Sequence, residues 1–334
     1  MNKFSIILPV RNGGHHFKKC VNSILAQTVS DFNLHVLDNC SDDGSGEWIS
    51  SLNDPRIILI TSSKPLSIEE SWGRIIHIPK NEFITLIGHD DLLHSNYLEK
   101  MSQLILDHPN ASLYQSHFNL IDSAGKEIRK CKPMSVTENA GEFLKSVLSG
   151  RFDLYGTGFM MRSLHYDQLG GIPMYPNLLF ADFELWMNFT RLSYKATSSD
   201  ECFSYRLHQS TTKISSDLKM HEAFSVFINY LLQLKNNDRH LSSVINKFGP
   251  EFIILYCKGL SHRLLRTPFN LRNGLSVRKF VYECKQLSDK ISPGSGALLD
   301  SQSSINLAKF IDSNSLSRQL FLWFKQVFPK PVFK

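Results

Sequence analysis

Glu82–Asp91, EFITLIGHDD, is the stretch that decides the fold. Glu82–Ile87 reads as a strand that runs into Gly88-His89-Asp90-Asp91, so carboxylates stand at the end of an apolar run. Phe4–Leu8, Asn33–Leu37 and Arg56–Ile60 are further short apolar runs of the buried-strand type, the second ending at Asp38. Helical segments separate them. His15–Gln27 carries a stripe of Phe17, Val21, Ile24 and Leu25; Ser45–Leu52 is a short helix; Ser67–Ile78 stops at Pro79; Asn96–Asp107 stops at Pro109. This alternation predicts an α/β fold, a mostly parallel central sheet with helices on both faces. Ligands of such sheets sit at the C-terminal strand ends. Asp38 and Asp90 are both expected there, after strands that look adjacent.

The rest of the chain is more mixed. Ser112–Phe118 reads as a strand, Asp122–Gly125 as a turn, Glu138–Leu148 as a helix and Gly158–Arg162 as a short strand. Asp182–Leu192 is a helix with Leu185, Trp186 and Phe189 on one face, and Cys202–Leu207 is a strand ending at His208. Beyond about residue 216 the strand signals fade. Leu218–Leu234, Leu241–Leu265 and Ser276–Leu287 are expected helices, and Ser292–Ser304 a linker. The expected division is a catalytic domain over 1–215 and a mainly helical region over 216–334.

Composition narrows the class. The 334 residues are 42% hydrophobic and 20% charged, which excludes disordered and collagenous chains. No apolar run reaches the roughly 18–20 residues of a membrane-spanning helix. The opening MNKFSIILPVRN has no signal-peptide pattern, and the six cysteines form no CxxC pair. Both point to reduced thiols and a cytoplasmic setting. The net charge of +6 is uneven. Residues 261–334 hold twelve Lys and Arg against four Asp and Glu, a net of +8, which leaves −2 for residues 1–260. A nucleic-acid-binding surface is therefore not expected.

Four clusters carry chemistry, in order: Ile7–Asn12, Leu37–Ser45, Gly88–Asp91, and Ala181–Trp186 followed by Tyr205–His208. In this order the chain resembles the family 2 glycosyltransferases of GT-A fold, the kind found in bacterial surface-polysaccharide pathways. The family's strand followed by Pro-x-Tyr/Arg-Asn matches Ile6–Asn12. Its Asp-Asp-Gly-Ser-x-Asp pattern matches Asp38–Asp43, with Asn39 at the second Asp and Cys40 inserted. Its Asp-x-Asp-Asp matches Gly88–Asp91, with Gly88 replacing the first Asp. Its Glu-Asp-x-Asp/Glu-Leu-Trp matches Ala181–Trp186, with Ala181 replacing the Glu. The resemblance covers roughly residues 1–210.

The resemblance implies an inverting transfer of sugar from a nucleotide-sugar, a UDP-sugar by expectation, to a saccharide or lipid-linked saccharide. Asp38 is the expected nucleoside anchor, since a strand-end carboxylate accepts uracil N–H or ribose hydroxyls. Asn39 stands beside it, and Pro9, Arg11 and Asn12 wall the base, Arg11 with a guanidinium for stacking or phosphate. A divalent cation, Mn2+ or Mg2+, would neutralise the leaving diphosphate. Asp90 is its expected ligand, with Asp91 supporting it or binding ribose. Asp182 is the expected general base, and Glu184 the carboxylate that supports the acceptor. Arg206 is expected on the diphosphate and His208 on the metal or a phosphate. Trp72 and Arg74 are weaker candidates for the donor's border.

Rival readings are a GT-A-like binding or scaffold protein that has lost catalysis, motivated by Gly88 and Ala181, and a hydrolase metal cluster at His89–His94. A nucleotidyltransferase is disfavoured because no Gly-rich, basic phosphate loop follows the first strand. At the C-terminus Ser315–Phe328 is amphipathic, with Leu316, Leu320, Trp323, Phe324 and Val327 on one helical face. Beside the +8 segment it suggests peripheral association with an anionic membrane at the inner face of the cell membrane, or else a helix docked on its own domain or a partner subunit.

Overall fold

The computed structural model describes residues 3–151, 153–207 and 215–328. The chain divides into two compact units, Met1–Phe143 with Phe152–His208, and Leu144–Arg151 with Gln209–Lys334.

The first unit is built on one sheet. It opens as β1 (Phe4–Val10), α1 (Gly14–Leu25), β2 (Phe32–Asp38), α2 (Ser45–Ser51), β3 (Ile57–Thr61), α3 (Ile68–Gly73) and β4 (Phe83–Leu86). These four strands are parallel, in the spatial order β3-β2-β1-β4. β1 is buried along its whole length, as a central parallel strand must be. Phe4, Ile6, Leu8 and Val10 share a core with Phe17, Cys20, Val21 and Ile24 of α1. By strand alternation Ile7, Leu37, Ile84 and Leu86, also buried, face the other side of the sheet. Each such apolar side chain contributes roughly 1.5–3 kcal/mol of burial.

The strands that carry Asp38 and Asp90 are not neighbours, contrary to the sequence expectation. β1 lies between β2 and β4, because the chain moves to one side of β1 for β2 and β3 and then crosses to the other. That reversal is a topological switch point, where a crevice opens beyond the C-terminal strand ends.

The second half of the sheet is mixed. It adds β5 (Leu92–Leu93), α4 (Tyr97–Asp107), β6 (Leu113–Ile121), β7 (Glu127–Lys130), β8 (Thr137–Glu138), α5 (Ala140–Leu148), β9 (Phe159–Arg162), α6 (Ser163–Gln168), α7 (Ala181–Leu192) and β10 (Lys195–Arg206). β9 lies antiparallel between β4 and β6, and β10 runs parallel to β6. β10 starts seven residues before the expected Cys202. Its polar opening residues were not a strand signal, and the buried Lys195–Glu138 pair at 2.8 Å holds them in the sheet. The turn at Asp122–Gly125 forms as expected, with Asp122 Oδ1 accepting N–H bonds from Ala124 and Lys126, both at 2.9 Å.

The second unit is helical: α8 (Asp217–Asn237), α9 (Arg239–Arg266), α10 (Val277–Ile291), α11 (Ser303–Ser313) and α12 (Ser315–Val327). The expected linker Ser292–Ser304 is instead ordered. Gly294 turns the chain at φ 83°, and a 3-10 helix over Ser295–Leu299 buries Leu299. Among the described residues, no helix is long and apolar enough to cross a membrane. Arg272 and Asp312 form a buried ion pair at 2.6 Å, and Asp312 also accepts the Val277 N–H at 2.8 Å. Asp312→Ala strands that guanidinium, so it should lower stability by about 3–5 kcal/mol. A urea titration checks this; an unchanged midpoint would contradict it.

Candidate active site

The crevice is lined first by the loops that leave β1 and β2. Asn12, at φ 51°, donates its N–H to Ser41 Oγ and accepts the Asp42 N–H on Oδ1, both at 2.9 Å. Asp43 accepts the Gly14 N–H at 2.9 Å. The two loops are thus sewn together, with Pro9 buried at the end of β1 and Arg11 exposed above it. Asp38 is buried at the end of β2, and the Ser41 N–H points at its carboxylate from 3.3 Å and 3.4 Å.

Two residues named from the sequence serve the frame instead. The Asn39 amide accepts the Leu66 N–H at 2.8 Å and donates to the Leu66 carbonyl at 3.0 Å, so it pins a loop rather than reaching for a ligand. Arg74 donates to the carbonyls of Leu37 (3.0 Å) and Asp38 (3.2 Å), clamping the end of β2. Its guanidinium is engaged by backbone rather than held open for phosphate.

The turn after β4 gathers the next carboxylates. A Cβ at position 88 would stand 2.7 Å from Asp90 Oδ1 and 3.1 Å from Asp91 Oδ2. Glycine at this position is what lets both carboxylates fold over the turn, and an aspartate there would displace them. Asp91 is 1% exposed. It accepts the Thr157 hydroxyl at 2.7 Å and the Arg206 N–H at 2.9 Å. Burial first, then the neighbouring Asp90, pushes the Asp91 carboxyl well up from its ordinary value. The Cys20 thiol, whose Sγ lies 3.5 Å from the Gly88 carbonyl, is raised by burial and by the same two acids. Asp90 and Asp91 thus crowd together over the turn at Gly88.

Arg206 is a correction to the sequence reading. Only 2% of it is exposed. Its Nε donates to the Asp90 carbonyl at 2.7 Å and its Nη1 to the Asp122 carbonyl at 2.8 Å. The residue ties the Asp90 turn to the β6–β7 turn through Nε and Nη1, while its buried Nη2 has no hydrogen-bond partner among the described residues. Asp91 likewise has both oxygens engaged, which favours its supporting role over ribose binding. His208 lies outside the described residues.

Asp182 sits in the first turn of α7. The approach to it is strained, with Asn177, Leu178 and Phe180 at φ 54°, 53° and 70°. Such backbone persists where the surroundings fix it, and here the Asn177 N–H is held by Glu69 Oε1 at 2.7 Å. Burial raises the Asp182 carboxyl to about 6, against the Phe183 N–H that reaches its Oδ1 at 2.9 Å. Glu184 accepts the Tyr175 hydroxyl at 2.5 Å and is also raised by burial. Trp186 is core, stacked on Phe159 at 4.4 Å. Ala181 is fully buried.

Sequence reasoning missed the segment that joins these parts, Tyr155-Gly156-Thr157. Tyr155 stacks on Tyr205 at 3.8 Å, a Cβ on Gly156 would stand 3.4 Å from Asp182 Oδ2, and Thr157 bonds Asp91. Tyr205 is raised by burial and then by Asp91, Asp90, Tyr155 and Asp182, so three carboxylates act on one phenol. The only sequence signal was the pair of glycines, Gly156 and Gly158, before a short strand. Among the described residues, no group of three or more His, Cys, Asp or Glu side chains forms a metal cage.

An open sheet whose switch point collects strand-end carboxylates defines a GT-A type of fold. The crystal structure of S. aureus TarS 1-349 in complex with UDP-GlcNAc matches it at TM-score 0.68, with 14% identity over 97% of this chain and 92% of that one. Residues 5–165 match the model of the family described as Glycosyl transferase family 2. This segment, just under half of the chain, carries the likeness to the family 2 glycosyltransferases. The chain is 26% identical over 224 residues to the Uncharacterized glycosyltransferase RC0461 of Rickettsia conorii, covering 64% of this chain and 35% of that protein. It is 25% identical over 135 residues to the UDP-Glc:alpha-D-GlcNAc-diphosphoundecaprenol beta-1,3-glucosyltransferase WfgD of Escherichia coli, covering 40% of this chain and 53% of that protein. The chain thus spans about a third to a half of these relatives' lengths.

Arg206→Lys keeps the charge but loses the planar fork that bridges two turns. We expect a loss of about 2–3 kcal/mol, read as a lower melting temperature. A variant as stable as the parent would contradict the bridging role.

Proposed function

We propose that this chain is an inverting glycosyltransferase that moves a sugar from a UDP-sugar to a saccharide or lipid-linked saccharide in cell-surface polysaccharide synthesis. The observation that carries this reading is the Tyr155–Thr157 segment, which bonds Asp91 through Thr157 and passes close beside Asp182 at Gly156. A donor's leaving group and an acceptor's hydroxyl need opposite carboxylate environments of this kind. The names of the relatives support the donor class: WfgD is named as using UDP-Glc, and TarS is crystallised with UDP-GlcNAc. The catalytic domain is the first unit, with its end near residue 215.

Asp38 holds the nucleoside, and Pro9, Arg11 and Asn12 wall the base. Asp90, with His208, would hold a divalent cation whose charge offsets that building on the leaving diphosphate. The pair of carboxylates folded over Gly88 fits such a cation. Asp182 takes the proton from the acceptor hydroxyl as that oxygen bonds the anomeric carbon. The bond from that carbon to the diphosphate breaks, and UDP leaves with the electron pair. Glu184 and Tyr175 orient the acceptor side.

A base must be ionised to act, and Asp182 is raised to about 6. Transfer should therefore climb with pH through about 6 and level off above 7. Asp182→Asn should bind UDP normally and lose transfer by roughly a hundredfold or more. A flat profile from pH 5 to 8, or a fully active variant, would contradict the assignment. For the cation, calorimetry with UDP should show Mn2+ strengthening binding to the parent, with chelator abolishing the gain. Asp90→Asn should lose most of that gain; equal strengthening in both would contradict the role of Asp90.

A further inference from the structure

The last described helix leaves most of its large apolar residues exposed. On α12 (Ser315–Val327), Leu316, Leu320, Trp323, Phe324 and Val327 share one helical face, and all five are exposed. Leu316 is 69% exposed, Leu320 60% and Trp323 59%. The half-buried residues are Ser317, Arg318, Phe321, Leu322 and Lys325, which lie on the opposite side of the helix. Arg318 anchors that side. Its Nη2 donates to the Thr267 carbonyl at 2.7 Å, its Nε donates to the Leu265 carbonyl at 3.2 Å, and its guanidinium lies 4.1 Å from the Phe269 ring centroid. The unit thus grips the side that carries Arg318 and Lys325 with Phe321 and Leu322, and still leaves five large apolar side chains facing outward, whereas a surface helix ordinarily buries its apolar stripe.

Charge selects what covers this face. In residues 261–334 each acid already has a partner: Glu283 bonds His221, Asp300 pairs with Lys285 and Lys309, Asp312 pairs with Arg272, and Asp289 accepts the Gly296 N–H. Arg266, Arg278, Lys279 and Lys290 are exposed, and the sequence beyond the described residues adds Lys330 and Lys334. A second copy of the chain would bring a segment of net +8 against another of the same sign. An anionic lipid surface instead offers charge of the opposite sign and an apolar interior for Trp323 and its neighbours.

We propose that α12 is an anionic-membrane docking helix that inserts its Leu316–Val327 apolar face into the lipid interface. The proposal is independent of the sugar chemistry. It predicts that the full chain co-floats with vesicles of phosphatidylcholine containing 30% phosphatidylglycerol, and at least tenfold less with phosphatidylcholine alone. Leu320→Glu with Trp323→Glu should abolish flotation, while melting temperature and UDP binding stay unchanged because both side chains are exposed. Trp323→Phe should keep flotation and lose the blue shift of tryptophan emission on vesicle addition. Light scattering reads the competing occupant. A parent dimer that becomes monomeric in the double-Glu variant, with no vesicle binding, would overturn the proposal. So would equal flotation of the parent and the double-Glu variant.

Discussion

The site depends on one buried junction, Asp91 with Arg206. The Arg206 N–H closes the end of β10 onto the Asp91 carboxylate, and its guanidinium holds the Asp90 and Asp122 carbonyls. Hydrogen bonds to charged groups in a dry setting are among the stronger ones, and removing one partner leaves the other buried and unsatisfied. The junction therefore fixes the turn over Gly88 without any contribution from a ligand. Thr157 extends it to the segment beside Asp182. A single polar lock thus links strands from opposite halves of the sheet and sets the carboxylates around Tyr205.

The parallel half of the fold was legible because its strands are apolar runs and its helices carry clear stripes. Strand order was not. Adjacency in sequence suggested neighbours, while the crossover put β1 between the strands of Asp38 and Asp90. The polar start of β10 was hidden as well, since a buried Lys195 paired with Glu138 leaves no apolar pattern to read. Ser292–Ser304 looked like a linker from its Gly, Ser and Pro content, but Leu299 is buried and Ser288 bonds Ser295.

At the site, the sequence points to carboxylates and to nitrogen donors, and several of the nitrogen donors bond the backbone of the frame. Asp38, Asp90 and Asp182 stand at strand or helix ends, where their chemistry can be used. Asn39, Arg74 and Arg206 have the right donor types but are engaged by backbone carbonyls and N–H groups. No motif tells a ligand-binding arginine from one that clamps a loop; only the number of nearby carbonyls does. The reverse failure was Tyr155–Thr157, which carries no motif yet bonds Asp91, stacks on Tyr205 and passes beside Asp182. The departure at Gly88, which suggested lost function, has a steric explanation: a side chain there would collide with Asp90.

The central claim is that Asp182 directs an attack from the side opposite the leaving diphosphate. Its most direct test is the configuration of the sugar first released when water replaces the acceptor. Proton NMR of a UDP-α-sugar incubated with the protein, followed before mutarotation, should show the β-anomer appearing first. The α-anomer appearing first would contradict a single inverting displacement.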